Sequence, residues 1–276
     1  MEAYILFDDY FDAHKEEALK YPIYVPSKDR VAKSATIDHL QSEGIPYSIV
    51  VEPQDYDEYV DAYGKEHVLS MDKNDQGIVY VRNFCKTHSI NEGHSRHWQI
   101  DDNIKSFRIR TGGKNVKSKM GYSLSLAEKF VDEFENIGIA GLTHQMFAFA
   151  KKHSLDINRQ AYSCVLVDNN LDLWWRDSVE DTDYSLQVLA SKKCTVVLNR
   201  LIIEKAATGE VKGGNEKVYS GDGRLRRTKL LQEYWPGWFQ YTEKYGRIHV
   251  KPSRIWRTFE QTLIKKGEVS PLDMFL

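Results

Sequence analysis

Trp98-Gln99-Ile100-Asp101-Asp102-Asn103 is the stretch on which the reading of this chain turns. A short apolar run, Trp98 to Ile100, delivers three oxygen-bearing side chains in a row. A strand that ends in a carboxylate pair can hold a hard divalent cation such as Mg²⁺ or Mn²⁺ against a diphosphate. Asp and Asn also favour an Asx-rich turn for purely local reasons, so the six residues alone leave both readings open.

The sequence around them alternates strand-like and helix-like pieces, which predicts an α/β fold with a central sheet and crossover helices. Upstream, Tyr21 to Val25 reads as a first strand closed by Pro26-Ser27-Lys28-Asp29-Arg30. Residues 31–42 read as a helix stopped by Gly44 and Pro46, and Tyr47 to Val51 as a second strand ending at Glu52-Pro53. Residues 54–63 are expected to be helical and His67 to Met71 to form a third strand. Gly77 to Ile90 has helical spacing, with Gly93 as its stop, and His97 to Ile100 is the next strand. Downstream, Gly112 to Gly121 reads as a mobile loop and Ser125 to Ile137 as a helix. Ala161 to Val167 and Cys194 to Leu198 are two more strands. With no internal repeat or low-complexity linker, residues 1–276 read as one domain, its core about 20–205 and its C-terminal region about 206–276.

Composition bounds the class. At 41% hydrophobic and 28% charged residues, the chain can bury a core while staying in water. No run approaches the roughly 18 apolar residues of a membrane span. Met1 to Tyr10 carries Glu2, Asp8 and Asp9 instead of a basic leader, so no signal peptide is expected there. Cys85, Cys164 and Cys194 are far apart in apolar segments and read as reduced thiols of a cytoplasmic protein. Net charge is −2, yet residues 105–119 hold Lys105, Arg108, Arg110, Lys114, Lys117 and Lys119 with no acid. Residues 211–257 hold eleven basic and four acidic side chains. Two concentrated basic segments point to a polyanion-binding face, or to a pair of solvated loops.

Three polar groups fall at predicted strand ends, where open α/β sheets bind ligands: Pro26 to Arg30, Glu52, and Asp101 to Asn103. Lys28 and Arg30 would supply cations to a phosphate or ribose, or solvate a helix start. There is no G-x-G-x-x-G after the first strand and no G-x-x-x-x-G-K-[ST], against a dinucleotide dehydrogenase or a P-loop ATPase. The nine histidines form no H-E-x-x-H, against a zinc hydrolase. Glu180-Asp181 opens a helix-like run, where carboxylates suit the helix dipole or accept a proton from an attacking hydroxyl. Trp174 and Trp175 just before it are either core or a wall on which sugars and bases stack. His249, on a late apolar segment, is structural or completes a metal site.

In this order the pieces resemble the GT-A nucleotide-sugar glycosyltransferases. Val25 to Arg30 resembles their nucleotide loop, Tyr47 to Glu52 their second strand, and Arg82-Asn83 the pair on the helix before the metal motif. Asp101-Asp102-Asn103 stands at the DxD position, Glu180-Asp181 at the later acidic motif and His249 at the metal-binding C-terminal histidine. The last DxD residue is Asn103 instead of Asp; its neutral carbonyl is a weaker ligand and shifts the load to Asp102. Lys33 to Ile37, Val51 to Tyr56, Arg82-Asn83 and the Trp98 stretch are most similar to the phage glycosyltransferases encoded beside TET/JBP-type dioxygenases.

That resemblance implies a GT-A, Rossmann-like mixed sheet flanked by helices, with a basic C-terminal extension on the acceptor side. It implies a donor nucleoside-diphosphate sugar, of the UDP type, bound by Pro26, Ser27, Lys28, Arg30, Glu52, Arg82, Asn83 and Asp101. It implies Mn²⁺ or Mg²⁺ on Asp101, Asp102, Asn103 and His249, and Asp181 or Glu180 activating the acceptor hydroxyl. The implied acceptor is 5-hydroxymethylcytosine in double-stranded phage DNA in the host cytoplasm, met by Trp174, Trp175, Arg224, Arg226 and Arg227. Two other readings stand beside it. One is the same fold acting on a sugar, protein or small-molecule hydroxyl. The other is a non-catalytic binding module that keeps a degraded fold.

Overall fold

The computed structural model describes residues 17–31, 33–206, 222–244, 247–251 and 255–267; the side chains of 240–244 and 247–251 are not among them. Met1 to Tyr10 therefore lies outside the described residues. Among them, ten strands join in one mixed sheet whose main path runs β3-β2-β1-β4-β9-β7-β10-β5-β6. The strands are β1 (Ile23–Pro26), β2 (Ser48–Val51), β3 (Val68–Ser70), β4 (Arg96–Ile100) and β5 (Ile104–Thr111). They continue with β6 (Lys114–Ser118), β7 (Ile137–His144), β8 (Leu155–Ile157), β9 (Cys164–Asp168) and β10 (Cys194–Lys205). β8 adds to β10 off the main path.

The apolar runs are unbroken because the sheet is covered on both faces. Alternate residues serve different cores: Ile23, Val25, Ile49, Val51, Trp98 and Leu166 enter the larger one. Tyr24 and Val50 point to the opposite face, with Val81 and Cys85 of α3 (Gly77–Asn91). On that same side Val165, Val167 and Val197 meet Tyr184 and Val188 of α6 (Glu180–Ala190). The larger core is roofed by α1 (Ala35–Ser42) and α4 (Met120–Asp132), which bury Ile37, Leu40, Leu124 and Phe130. α2 (Tyr56–Tyr63) packs Tyr59 under the β1 loop, and α5 (Gln145–Ala148) is a single turn after β7. α7 (Gly223–Tyr234) reaches α6 through Leu231, packed with Leu186, Leu189 and Trp256.

Pairing direction places the functional edge. β1 runs parallel to β2 and β4, and β2 parallel to β3. β9 runs antiparallel to both β4 and β7, so β4 and β7 point the same way, and β10 is parallel to β7. The carboxyl ends of β1, β2, β4, β7 and β10 therefore open on one edge, and β9 starts there. That edge gathers Ser27, Glu52, Asp101, His144, Ser163 and Lys205 from across the sequence.

Three expectations are corrected. The stretch from Gly112 to Gly121 is not a loop: β5 and β6 form a hairpin whose turn, Gly112-Gly113, takes the positive φ values of 55° and 75° that glycine tolerates. The helix expected over Ser125 to Ile137 is α4, five residues earlier at its start, and Ile137 opens β7. The helix expected from residue 31 begins at Ala35, where Ser34 caps it by accepting from the Ile37 amide at 3.2 Å. No helix among the described residues is long and apolar enough to cross a membrane. Cys85, Cys164 and Cys194 are buried free thiols.

Candidate active site

The turn after β4 is held from outside. Ser34 Oγ donates to the Asp102 carbonyl at 2.7 Å and Thr36 Oγ1 to the Asp101 carbonyl at 2.6 Å. The Ile104 amide donates to Thr36 Oγ1 at 3.0 Å, and the Ala206 amide to the Asn103 carbonyl at 3.1 Å. With its backbone groups met by α1 and the end of β10, the turn presents its side chains in fixed directions.

Those directions diverge. Asp102 turns toward the β1 loop: Arg30 Nη1 donates to one of its oxygens at 2.6 Å and Ser27 Oγ to the other at 2.8 Å. Burial nonetheless raises its pKa above the ordinary carboxylate range against those two donors. Asp101 faces the other way. Lys205 donates to it directly and Arg82 stands 3.8 Å from it, which together hold its pKa down at about 2 despite burial. Asn103 Oδ1 is buried with no hydrogen-bond partner among the described residues.

Arg82 links the two acidic motifs. Its guanidinium lies 3.2 Å from Asp181 and donates to Gln99 Oε1 at 3.2 Å. Gln99 returns a bond to the Arg82 carbonyl at 2.9 Å and donates to His97 Nε2, while His97 Nδ1 meets Asn169. Burial keeps His97 neutral, its pKa lowered to about 3, so it serves this chain as a hydrogen-bonding spacer. Asp181 is the reverse of Asp101. Burial, followed by the charges of Glu180 and Asp101, outweighs Arg82 and raises its pKa to about 7. Its side chain keeps 21% exposure, so an incoming group can reach it. A carboxylate titrating near neutrality is suited to take a proton from a hydroxyl.

Glu180, its neighbour, is not placed to do so. It forms a buried ion pair with Arg227 of α7, whose Nε also donates to the Ser178 carbonyl at 2.6 Å. Arg227 is thus a brace inside the protein and not a surface cation for phosphates. Trp175 is likewise a core residue, 3% exposed and stacked on Tyr184 at 4.0 Å. Asn83 brackets its backbone, donating to the Trp175 carbonyl and accepting from its amide, both at 3.0 Å, which spends Asn83 on the protein itself. Trp174 is partly exposed, with Lys86 5.1 Å from its ring centre. Arg226 is exposed beside Asp177 at 3.2 Å, and Arg224 lies on the first turn of α7.

The β1 loop and the end of β2 meet. Lys28 donates to Glu52 at 2.6 Å and to Asp75 at 2.7 Å, and Pro26 ends β1 where the chain bends into that loop. His249 lies on β12 (Arg247–Lys251), opposite Thr242 of β11 (Gln240–Lys244); its side chain is outside the described residues. Lys205, Ser163, His144 and Tyr162 are members of this edge that sequence reasoning missed. Lys205 also donates to Ser163 Oγ at 3.2 Å, and the Ser163 carbonyl accepts from the Asp101 amide at 2.8 Å. A lone lysine ending a strand carries no motif; only the parallel run of β10 beside β7 betrays it.

The donor set of the turn suits a hard cation, since Asp101 and the unpartnered Asn103 Oδ1 are both oxygen ligands. Among the described residues no three His, Cys, Asp or Glu side chains form a closed metal cage. A divalent ion here would have Asp101 and Asn103 as its oxygen ligands, with Asp101 giving up its ion pair with Lys205, while Asp102 is committed to Arg30 and Ser27.

Similarity to solved structures includes GalNAc-T7 crystallised with UDP, GalNAc and Mn²⁺, at 9% identity and a TM-score of 0.51, over 80% of this chain and 49% of that one. The chain thus spans about half the length of that structure, and the likeness is one of fold. A197 from STIV aligns at 10% identity and a TM-score of 0.41, over 68% of this chain and 86% of its own. No curated protein sequence matches. The sequence matches the profile of TET-Associated Glycosyltransferase over residues 21–214, from β1 through β10 and past Lys205. The edge just described lies almost wholly within that span, and the chain belongs to the TET-associated glycosyltransferase family.

Proposed function

We propose that this glycosyltransferase moves a sugar from a nucleoside diphosphate, of the UDP type, to the hydroxymethyl group of a modified pyrimidine in DNA. The carrying observation is the Asp101–Arg82–Asp181 chain at the sheet edge, in a family associated with TET dioxygenases. Asp181 accepts the proton of the acceptor hydroxyl. The acceptor oxygen bonds to the sugar C1 as the C1–oxygen bond to the diphosphate breaks, and the diphosphate leaves with the electron pair. Arg82 and Lys205, both held at Asp101, set positive charge beside the departing group. Lys28, Arg30, Ser27 and Glu52 form the nucleotide side of the cleft. When bound at Asp101 and Asn103, Mn²⁺ or Mg²⁺ would add charge neutralisation at the diphosphate.

A DNA acceptor is supported by the β5–β6 hairpin, where Lys105, Lys114 and Lys117 are exposed. Phosphate contacts of that kind make binding fall with salt. Arg224 and Arg226 would extend this surface from α7, with the basic segment 211–257 as the acceptor-side extension.

The test offers radiolabelled UDP-sugars to two duplexes that differ only in 5-hydroxymethylcytosine. Label entering the hydroxymethylated duplex alone, and lost on chelation, is the expected result. Label passing instead to free sugars or proteins, with none in either duplex, would replace the acceptor with another hydroxyl.

A further inference from the structure

On the far side of Asp101 from the nucleotide loop lies a cavity of about 240 Å³. His144, Phe147, Lys151, Arg159, Tyr162 and Trp256 are among its walls. Sheet order separates the two halves of the cleft: β2, β1 and β4 carry the nucleotide side, whereas β7 and the approach to β9 carry the cavity. The backbone ties this wall to both carboxylates: the carbonyl of Ser163, next to Tyr162, accepts from the Asp101 amide, and the Ala161 amide donates to Ser185 Oγ, which donates to the Asp181 carbonyl. His144 is within electrostatic reach of Lys205 and Asp101, and Tyr162 of Asp181.

The lining has the chemistry of a site for a flat heterocycle. The His144 and Tyr162 rings stack at 4.4 Å and 22°, and the Phe147 ring sits 6.5 Å from His144. Such stacked faces receive bases of any identity. His144 Nε2 is buried and has no hydrogen-bond partner among the described residues, a polar atom left for something else to meet. Burial and the nearby Lys205 lower the His144 pKa to about 4, so near neutrality it offers a directional donor or acceptor and no charge. Arg159 donates to the carbonyls of Asn158 and Trp256 at 2.9 and 3.2 Å, which puts its positive charge at the cavity wall. Beside Phe147 in sequence, Met146 and Phe149 are 74% and 76% exposed. Exposed apolar side chains of this kind wedge between base steps in proteins that unstack DNA.

We infer that this cavity is the acceptor subsite and takes one pyrimidine turned out of the duplex, its hydroxymethyl group toward Asp181 and its edge at His144. The inference rests on the DNA-acceptor reading above. It moves the aromatic contact from Trp174 and Trp175 to His144, Phe147 and Tyr162.

The experiment compares wild type, His144→Ala and Phe147→Ala on a 5-hydroxymethylcytosine duplex with 2-aminopurine beside the target base. KM for the duplex and KM for the nucleotide sugar are measured separately, and the 2-aminopurine signal reports unstacking. Phe147 is 47% exposed, so its truncation is compatible with folding even where loss of His144 is not. At least a tenfold rise in duplex KM in either variant, a smaller change in donor KM, and a diminished fluorescence rise are expected. Wild-type duplex KM and fluorescence in both folded variants would overturn the subsite while leaving the DNA reading intact. Failure of the wild type to label any hydroxymethylated duplex, while it still hydrolyses the donor, overturns the DNA reading and the subsite together.

Discussion

Replacing Asp181 with Asn keeps the side chain's shape and removes its capacity to take a proton. Burial lifts the Asp181 pKa to about 7, the negative charges of Glu180 and Asp101 add to that, and Arg82 works against it. At pH 7 the group is thus about half ionised, and one unit lower about a tenth of it is. The active form is the ionised one, so transfer should fall about tenfold per pH unit below pH 6 and level off above pH 8. General-base assistance contributes about 10²–10⁴-fold, which is roughly 3–5 kcal/mol of barrier. Single-turnover label transfer to a hydroxymethylated duplex from pH 5 to 9 measures both quantities. Asp181→Asn should lose two to four decades at pH 8 and with them the acid limb. If the variant keeps the wild-type rate and the limb near pH 7, the base lies elsewhere and the role drawn for Asp181 is refuted.

Three further outcomes follow from the geometry. Asp101 is held near pKa 2 against an ordinary 3.8, so its contribution is complete above pH 4 and lost as pH falls toward 2. That contribution is about 2 kcal/mol, and urea midpoints between pH 5 and 2 should decline less steeply in Asp101→Asn than in wild type. Arg227→Met leaves Glu180 buried without its partner and should cost about 3–5 kcal/mol in urea unfolding, with Glu180→Gln added to it restoring part of the loss. A Cβ at Gly138 would meet Val188 Cγ1 at 2.7 Å and Leu171 Cδ1 at 2.8 Å, so Gly138→Ala should destabilise by about 1–3 kcal/mol, read as a lower melting temperature.

What the sequence discloses here depends on whether a residue's neighbours in space are also its neighbours in the chain. β1, β2 and β4 were legible because each is a short run rich in β-branched or aromatic residues that stops at its own punctuating residue, Pro26, Glu52 or Asp101. β7 was not, since Gly138 and Gly141 weaken a strand signal; both are small because Val188, Leu171 and Ala161 press against them. The β5–β6 hairpin was hidden by its own charge, its buried Ile104, Phe107 and Ile109 interspersed with Lys and Arg. In the site, Asp101 and Asp181 announce themselves through motifs. Trp174 and Trp175 look alike in sequence, yet only Trp175 meets Tyr184 and the core. Arg227 looks like its neighbours Arg224 and Arg226 until α7 docks on α6 and buries it.

That docking reaches into the chemistry. Glu180 is one of the charges that push the Asp181 pKa upward, and the Arg227 guanidinium is what offsets Glu180. A chain in which α7 is displaced would leave Glu180 uncompensated beside Asp181, and the base would become harder to ionise at the same pH. On the role proposed for Asp181, α7 would therefore act as a tuning weight on that carboxylate. Anything that lifts it, a truncation or a bound partner, would slow transfer through Asp181 as well as through the surface that Arg224 and Arg226 offer.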